Sequence, residues 1–215
     1  MVKVVKLYVE GGGNDSQALK AECRRGFRDF LEKAGLAGHM PRIVACGGRH
    51  DAYESYRTAV NNGEAAVLLV DSEASVASMF QSGPPDRWLP WTYLKQRQGD
   101  GWEKPEGATD LECHLMVQCM ESWFLADRGT LAAFYGRCFK MNALPAVQNA
   151  VESVVKQSVY LALADATKGC VSKGQYGKGE HSFKILSLID PQQVRVASPW
   201  ADRFIEQIRA IMGAA

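Results

Sequence analysis

Four carboxylates close or follow apolar segments of this chain: Glu10 ends "VKVVKLYVE", Asp71 and Glu73 stand in "LLVDSE", and Glu121 follows "CHLMVQ" in "CMESWF". Carboxylates gathered in one place repel one another and lose solvation, so without a cation they shift their pKa values and partly neutralise. A hard divalent ion such as Mg²⁺ or Mn²⁺ relieves that conflict, takes oxygen ligands and leaves positions for waters and phosphate oxygens. The set therefore points to phosphoryl-transfer or phosphodiester chemistry. Any single acid at a strand end has an ordinary alternative as a helix cap or solvated turn residue. Asp15, beside Ser16, fits the cap best.

Two glycine-rich segments extend this chemistry. "EGGGNDS" has neither the GxxxxGK[ST] order of a phosphate loop nor GxGxxG, so Gly11 and Gly12 read as a tight exit that leaves Glu10 accessible and lets a phosphate come close. "SKGQYGKGEH" brings Lys173, Lys178 and His181 on flexible backbone, able to meet an anion. Its alternative is a solvated linker in which His181 caps the next helix.

These residues need a scaffold that brings strand ends together, and the hydrophobic pattern supplies one. "VKVVKLYVE", "RIVAC", "EAAVLLVDSE" and "CHLMVQ" predict four strands, the third apolar enough for burial on both faces. Helices are expected between them: "QALKAECRRGFRDFLEKAG", with Leu19, Cys23, Phe27, Phe30 and Leu31 on one face, then "DAYESYRTAV". Alternating strands and helices imply an α/β fold with a parallel sheet, whose ligands sit at the carboxyl ends of the strands.

"CMESWFLADRGTLAAFYG" predicts a helix, open to division near Arg128 and Gly129. "NAVESVVKQSVYLALADATKG" predicts another, and "SFKILSLIDPQQVRVASPWADRFIEQIRAIM" two more, the last starting at Ser198 and Pro199. The expected organisation is a core over 1–127 that includes an insertion at 81–110, and a helical part over 128–215 packed on it as one compact unit. The insertion interleaves Arg87, Trp88, Trp91, Lys95, Arg97, Trp102 and Lys104. Such a mixture can track a phosphate backbone and stack bases, with Arg87 and Trp91 as substrate contacts. The preferred alternative has the tryptophans pinning the loop to the domain. Arg24, Arg25 and Arg28 either widen a basic surface or face water.

The chain has 215 residues with 25 Lys+Arg against 24 Asp+Glu, so bulk charge announces neither a nucleic-acid nor a membrane partner. No apolar run approaches a membrane span, and a cytoplasmic protein is expected. Six cysteines without a CxxC pair suggest mostly buried free thiols in a reducing compartment. Cys113, His114 and Cys119 lack the second close pair that a zinc site needs.

"YVEGGGND" resembles the first motif of Toprim domains, and "LLVDSE" resembles the second, usually Asp-x-Asp, with Glu73 in place of the last Asp. Together with "VACGGRHDAY", "MVQCMESWFLAD" and "KGQYGKGEHSF", these motifs make nearly the whole chain similar to an uncharacterised Toprim-related bacterial family, akin to RloB-like proteins and OLD-type nucleases. The resemblance implies a Toprim-like sheet with Glu10, Asp71 and Glu73 as ligands of Mg²⁺ or Mn²⁺ and Glu121 nearby. It implies a basic residue that stabilises charge on a scissile phosphate, first Lys178, then Lys173 or His181. It also implies a nuclease acting on DNA or RNA in phage defence or mobile-element conflict, beside an AAA- or ABC-type ATPase and open to homodimerisation. The alternatives are a non-catalytic sensor of nucleic acid or phage product that docks on the ATPase, and a small-molecule phosphatase or nucleotidyl-transfer enzyme.

Overall fold

The computed structural model describes residues 4–13, 16–146 and 150–214. Four strands, β1 (Lys6–Val9), β2 (Arg42–Ala45), β3 (Ala66–Asp71) and β4 (Cys113–Met116), form one sheet in the order β2-β1-β3-β4. All three pairings are parallel. This is the α/β class expected from the sequence, consistent with a Rossmann-like, Toprim-like arrangement. Every residue of β3 is buried, as its unbroken apolar run requires. The register sets Val9 beside Ala45 and Leu69, and Asp71 beside Met116, so the residues leaving β1, β3 and β4 emerge at one edge.

The helix α1 (Gln17–Leu31) covers one face with Cys23, Phe27, Phe30 and Leu31. Ser16 caps it by accepting the Leu19 N–H at 3.2 Å. The expected cap Asp15 lies outside the described residues. The other face takes α2 (Arg49–Asn61) through Ala52, Tyr53, Tyr56 and Ala59.

The insertion is ordered around its tryptophans, and α3 (Pro90–Gln96) lies within it. Trp88, Trp91 and Trp102 are all buried. Trp88 Nε1 donates to Gly83 O at 3.1 Å and Trp91 Nε1 to Thr109 O at 3.0 Å. The Trp102 ring stacks on Tyr53 at 4.7 Å between centroids. The pinning alternative is therefore correct for the three tryptophans.

The helical half holds α4 (Arg128–Tyr135), α5 (Lys156–Thr167), α6 (Ser182–Leu186), α7 (Pro191–Ala197) and α8 (Pro199–Met212). The division expected near Arg128 is present: a 3₁₀ segment, Met120–Leu125, precedes α4. Two expectations need correction. The helix expected across "NAVESVVKQSVYLALADATKG" starts only at Lys156, and the final segment makes three helices. Asp190 with Pro191 and Ser198 with Pro199 each supply a start signal, and each cap oxygen accepts a backbone N–H of the helix it opens.

The fully buried Arg203 of α8 ties this half to the sheet. It donates to the carbonyls of Pro85, Cys113 and Asp110 and lies 3.0 Å from His114 Nδ1. Burial and then this guanidinium push the His114 pKa well down, so His114 is a neutral core residue. Cys23, Cys46, Cys113 and Cys119 are free thiols, whereas Cys138 and Cys170 form a disulfide with Cα atoms 5.0 Å apart. No described helix is long and apolar enough to cross a membrane.

Candidate metal centre and cleft

The parallel register delivers Glu10, one residue past β1, to the last residue of β3. Glu10 Oε2 accepts the Asp71 N–H at 3.0 Å, so the first acid is clamped by the backbone of the second. Asp71 divides its oxygens: Oδ1 accepts the Met120 N–H at 2.9 Å, and Oδ2 accepts from Lys156 Nζ at 3.0 Å. Glu73 adopts φ +67, a left-handed conformation that costs a side-chain-bearing residue about 1–2 kcal/mol. Its N–H donates to Gln118 O at 2.9 Å, and its Oε1 accepts from Lys156 Nζ at 2.5 Å. One ligand oxygen from each of Glu10, Asp71 and Glu73 lies within 4.8 Å of the others.

Two cations missed by the sequence reading complete the cluster. Lys156, first residue of α5, bridges Asp71 and Glu73, and its own N–H donates to Gln118 Oε1 at 3.1 Å, which fixes where the helix starts. Arg49, first residue of α2, places Nε 3.6 Å from Glu10 Oε2 and 2.9 Å from Asp71 O. Its terminal nitrogens fork onto Asp100 of the insertion at 2.5 and 2.9 Å, and its guanidinium lies over the Trp102 ring. "GGRHD" showed a cation beside glycines at a helix start, the one cue that would have found Arg49. Lys156 stands in "VVKQS", where nothing local sets it apart.

Burial, reinforced by the neighbouring Asp71 charge, raises the Glu10 pKa to about 8 despite Asp71 N–H, Arg49 and Lys156. Burial raises Asp71 to about 6, with Lys156 opposing and Glu121 reinforcing the shift. Burial works to lower the Lys156 pKa, but Asp71 and Glu73 overcome it and the net shift is upward. Two cations in contact thus leave the acids short of positive charge. Nothing among the described residues donates to Glu10 Oε1. A hard divalent ion fits this set of oxygen donors.

Beside the acids runs a cleft of about 350 Å³, lined in part by Glu10, Gly11, Gly12, Asp71, Glu121 and Lys178. Gly11 and Gly47 exchange two backbone hydrogen bonds of 2.8 Å across its floor. A Cβ on Gly11 would lie 2.8 Å from the Phe183 ring and one on Gly12 2.9 Å from the Lys20 backbone, and both residues have positive φ. Only glycine leaves Glu10 by this route.

Glu121 stands outside the close group of three. It is fully buried and accepts three hydroxyls: Tyr176 and Ser182 on Oε1 at 3.2 and 3.1 Å, and Tyr160 on Oε2 at 3.2 Å. Lys178, exposed at the rim, donates to Tyr160 Oη at 3.1 Å. His181 is not at the chemistry. Its Nδ1 accepts the Gly177 N–H at 3.0 Å and its Nε2 lies 2.7 Å from Lys173 O, so the buried ring braces the loop from inside. Lys173 lies over the Phe134 ring, and neither it nor Arg87 nor Trp91 lines the cleft.

Fold and site together define a parallel α/β protein with a carboxylate cluster at the carboxyl edge of its sheet and a cleft beside it. A family profile described as Domain of unknown function (DUF4276) matches residues 9–209, and the chain belongs to that family. No curated protein and no solved structure matches it.

Proposed function

We propose that this chain is a divalent-metal-dependent phosphodiesterase that hydrolyses nucleic acid, using its acids as Toprim-like nucleases do. The observation that carries the reading is the convergence of Glu10, Asp71 and Glu73 within 4.8 Å, two of them with raised proton affinity despite adjacent cations. Those three residues would hold Mg²⁺ or Mn²⁺. The bound ion would supply Lewis-acid charge and a water acidic enough to attack at neutral pH. Glycine-lined backbone at Gly11 and Gly12 admits the phosphate, and Lys178 at the rim places a positive charge beside its oxygens. Lys156 and Arg49 orient the acids and offset part of their mutual repulsion. Glu121, saturated by hydroxyls, holds Tyr160 and through it Lys178.

The resemblance to phage-defence nucleases supports a cytoplasmic role with a partner ATPase. The test is cleavage of plasmid and tRNA in Mg²⁺ or Mn²⁺, with and without that ATPase. Glu10→Ala and Asp71→Ala should abolish cutting while the folded circular-dichroism spectrum persists. Undiminished cutting by both variants would remove the proposal. One observation favours the non-catalytic sensor instead: Lys156 already bridges two of the three acids, as in a self-neutralised site. Titration with Mn²⁺ separates the readings, since a sensor of that kind gains no thermal stability from the ion.

A further inference from the structure

The cleft lining is of two chemical kinds: Glu10, Asp71 and Glu121, with Lys178 exposed beside them, and Leu19, Met116, Met120 and Phe183, which make an apolar part of the wall. An ion and a phosphate would gain nothing from that wall. Met116, Met120 and Phe183 are buried, and Gly11 backs directly onto the Phe183 ring, so the wall is formed before any ligand arrives. Apolar surface held in this way strengthens binding only for a ligand group that sheds water against it. At about 350 Å³ the space is near the lower end for small-molecule pockets, roughly 300–1,000 Å³. A paired base inside a duplex reaches such a recess only after extrusion from the stack.

We infer that the cleft is a subsite for one nucleoside phosphate unit, with the base against Leu19, Met116, Met120 and Phe183 and the phosphate toward Lys178 and the acids; this rests on the phosphodiesterase reading. The unit is either a free nucleotide or an unstacked residue of a single strand, which present the same chemistry. A duplex engages the subsite only after a nucleotide is extruded from the stack.

Calorimetric titration of the full chain in Mn²⁺ with AMP and with ribose 5-phosphate isolates the contribution of the base. AMP should bind at least about tenfold more tightly. Leu19, half-buried on α1, is the wall residue that tolerates change. Leu19→Gln should weaken AMP about threefold or more and leave ribose 5-phosphate unaltered. Competition by a short oligoadenylate then identifies the source: displacement of AMP by the single strand points to strands, and no displacement points to free nucleotides. Equal binding of AMP and ribose 5-phosphate, or displacement of AMP by the oligoadenylate paired with its complementary strand as effective as by the single strand, would overturn the assignment. The two proposals fail separately. Metal-dependent plasmid cleavage without base selectivity leaves hydrolysis standing and removes the subsite, whereas base selectivity without cleavage does the reverse.

Discussion

Replacing Glu10 by glutamine should stabilise the metal-free protein, and the size of the effect follows from the cluster. The Glu10 carboxyl is raised from 4.5 to about 8, chiefly by burial and secondly by Asp71. The folded state therefore holds a proton that the unfolded chain releases between those values. Its contribution is complete below about pH 4.5 and is lost as pH rises through about 8. At pH 7 the deficit is at most about 2.5 units at 1.36 kcal/mol each, or about 3 kcal/mol. Relaxation around Asp71 and Arg49 reduces this to about 1–3 kcal/mol. Glutamine keeps an oxygen for the Asp71 N–H and does not titrate. In EDTA, Glu10→Gln should melt higher than the parent by roughly 2–12 °C at pH 7, at about 2–4 °C per kcal/mol, and by little at pH 4.5. Added Mn²⁺ should raise the parent and reverse the order, because only the parent keeps the third carboxylate. A variant no more stable than the parent at pH 7, or a gap independent of pH, would refute the electrostatic account of this site.

Lys156→Met should destabilise the metal-free fold by about 3 kcal/mol in urea titrations, because it strands two carboxylates, and Mn²⁺ should recover much of the loss. His181→Ala should cost about 1–3 kcal/mol through the two loop contacts it removes, yet leave the shape of the pH–rate profile for cleavage unchanged. Cys138→Ser should lower stability by about 3–4 kcal/mol under oxidising conditions, from a bridge that spans 32 residues, and abolish the response of the melting temperature to dithiothreitol.

Where side-chain pattern and backbone chemistry agree, the sequence was legible. The unbroken apolar run of β3 and the glycine exit after Glu10 located both the sheet and the edge where the acids meet. The pinned insertion was legible for a similar reason, since three tryptophans in a polar loop need somewhere to be buried. Partners joined only by tertiary contact were not legible. Lys156 reaches Asp71 across 85 positions of chain, and Arg49 meets Asp100 across 51. The role given to His181 failed because residue type suggested chemistry, while both ring nitrogens are committed to backbone groups of its own loop. The final helices were undercounted because "LIDPQQVRV" continues the apolar pattern across the cap that Asp190 and Pro191 make.

The fork of Arg49 onto Asp100 has a reciprocal consequence. The same guanidinium touches the insertion, the Asp71 carbonyl and the Glu10 carboxylate, and Arg97 lies 3.0 Å from the same Asp100 oxygen that Arg49 contacts. The free energy of charging Glu10 is thereby linked to the free energy of holding the 97–104 segment in place. A macromolecule that grasped that segment would alter the affinity of the acids for a cation, and a cation arriving at the acids would alter by the same factor how firmly the segment is held.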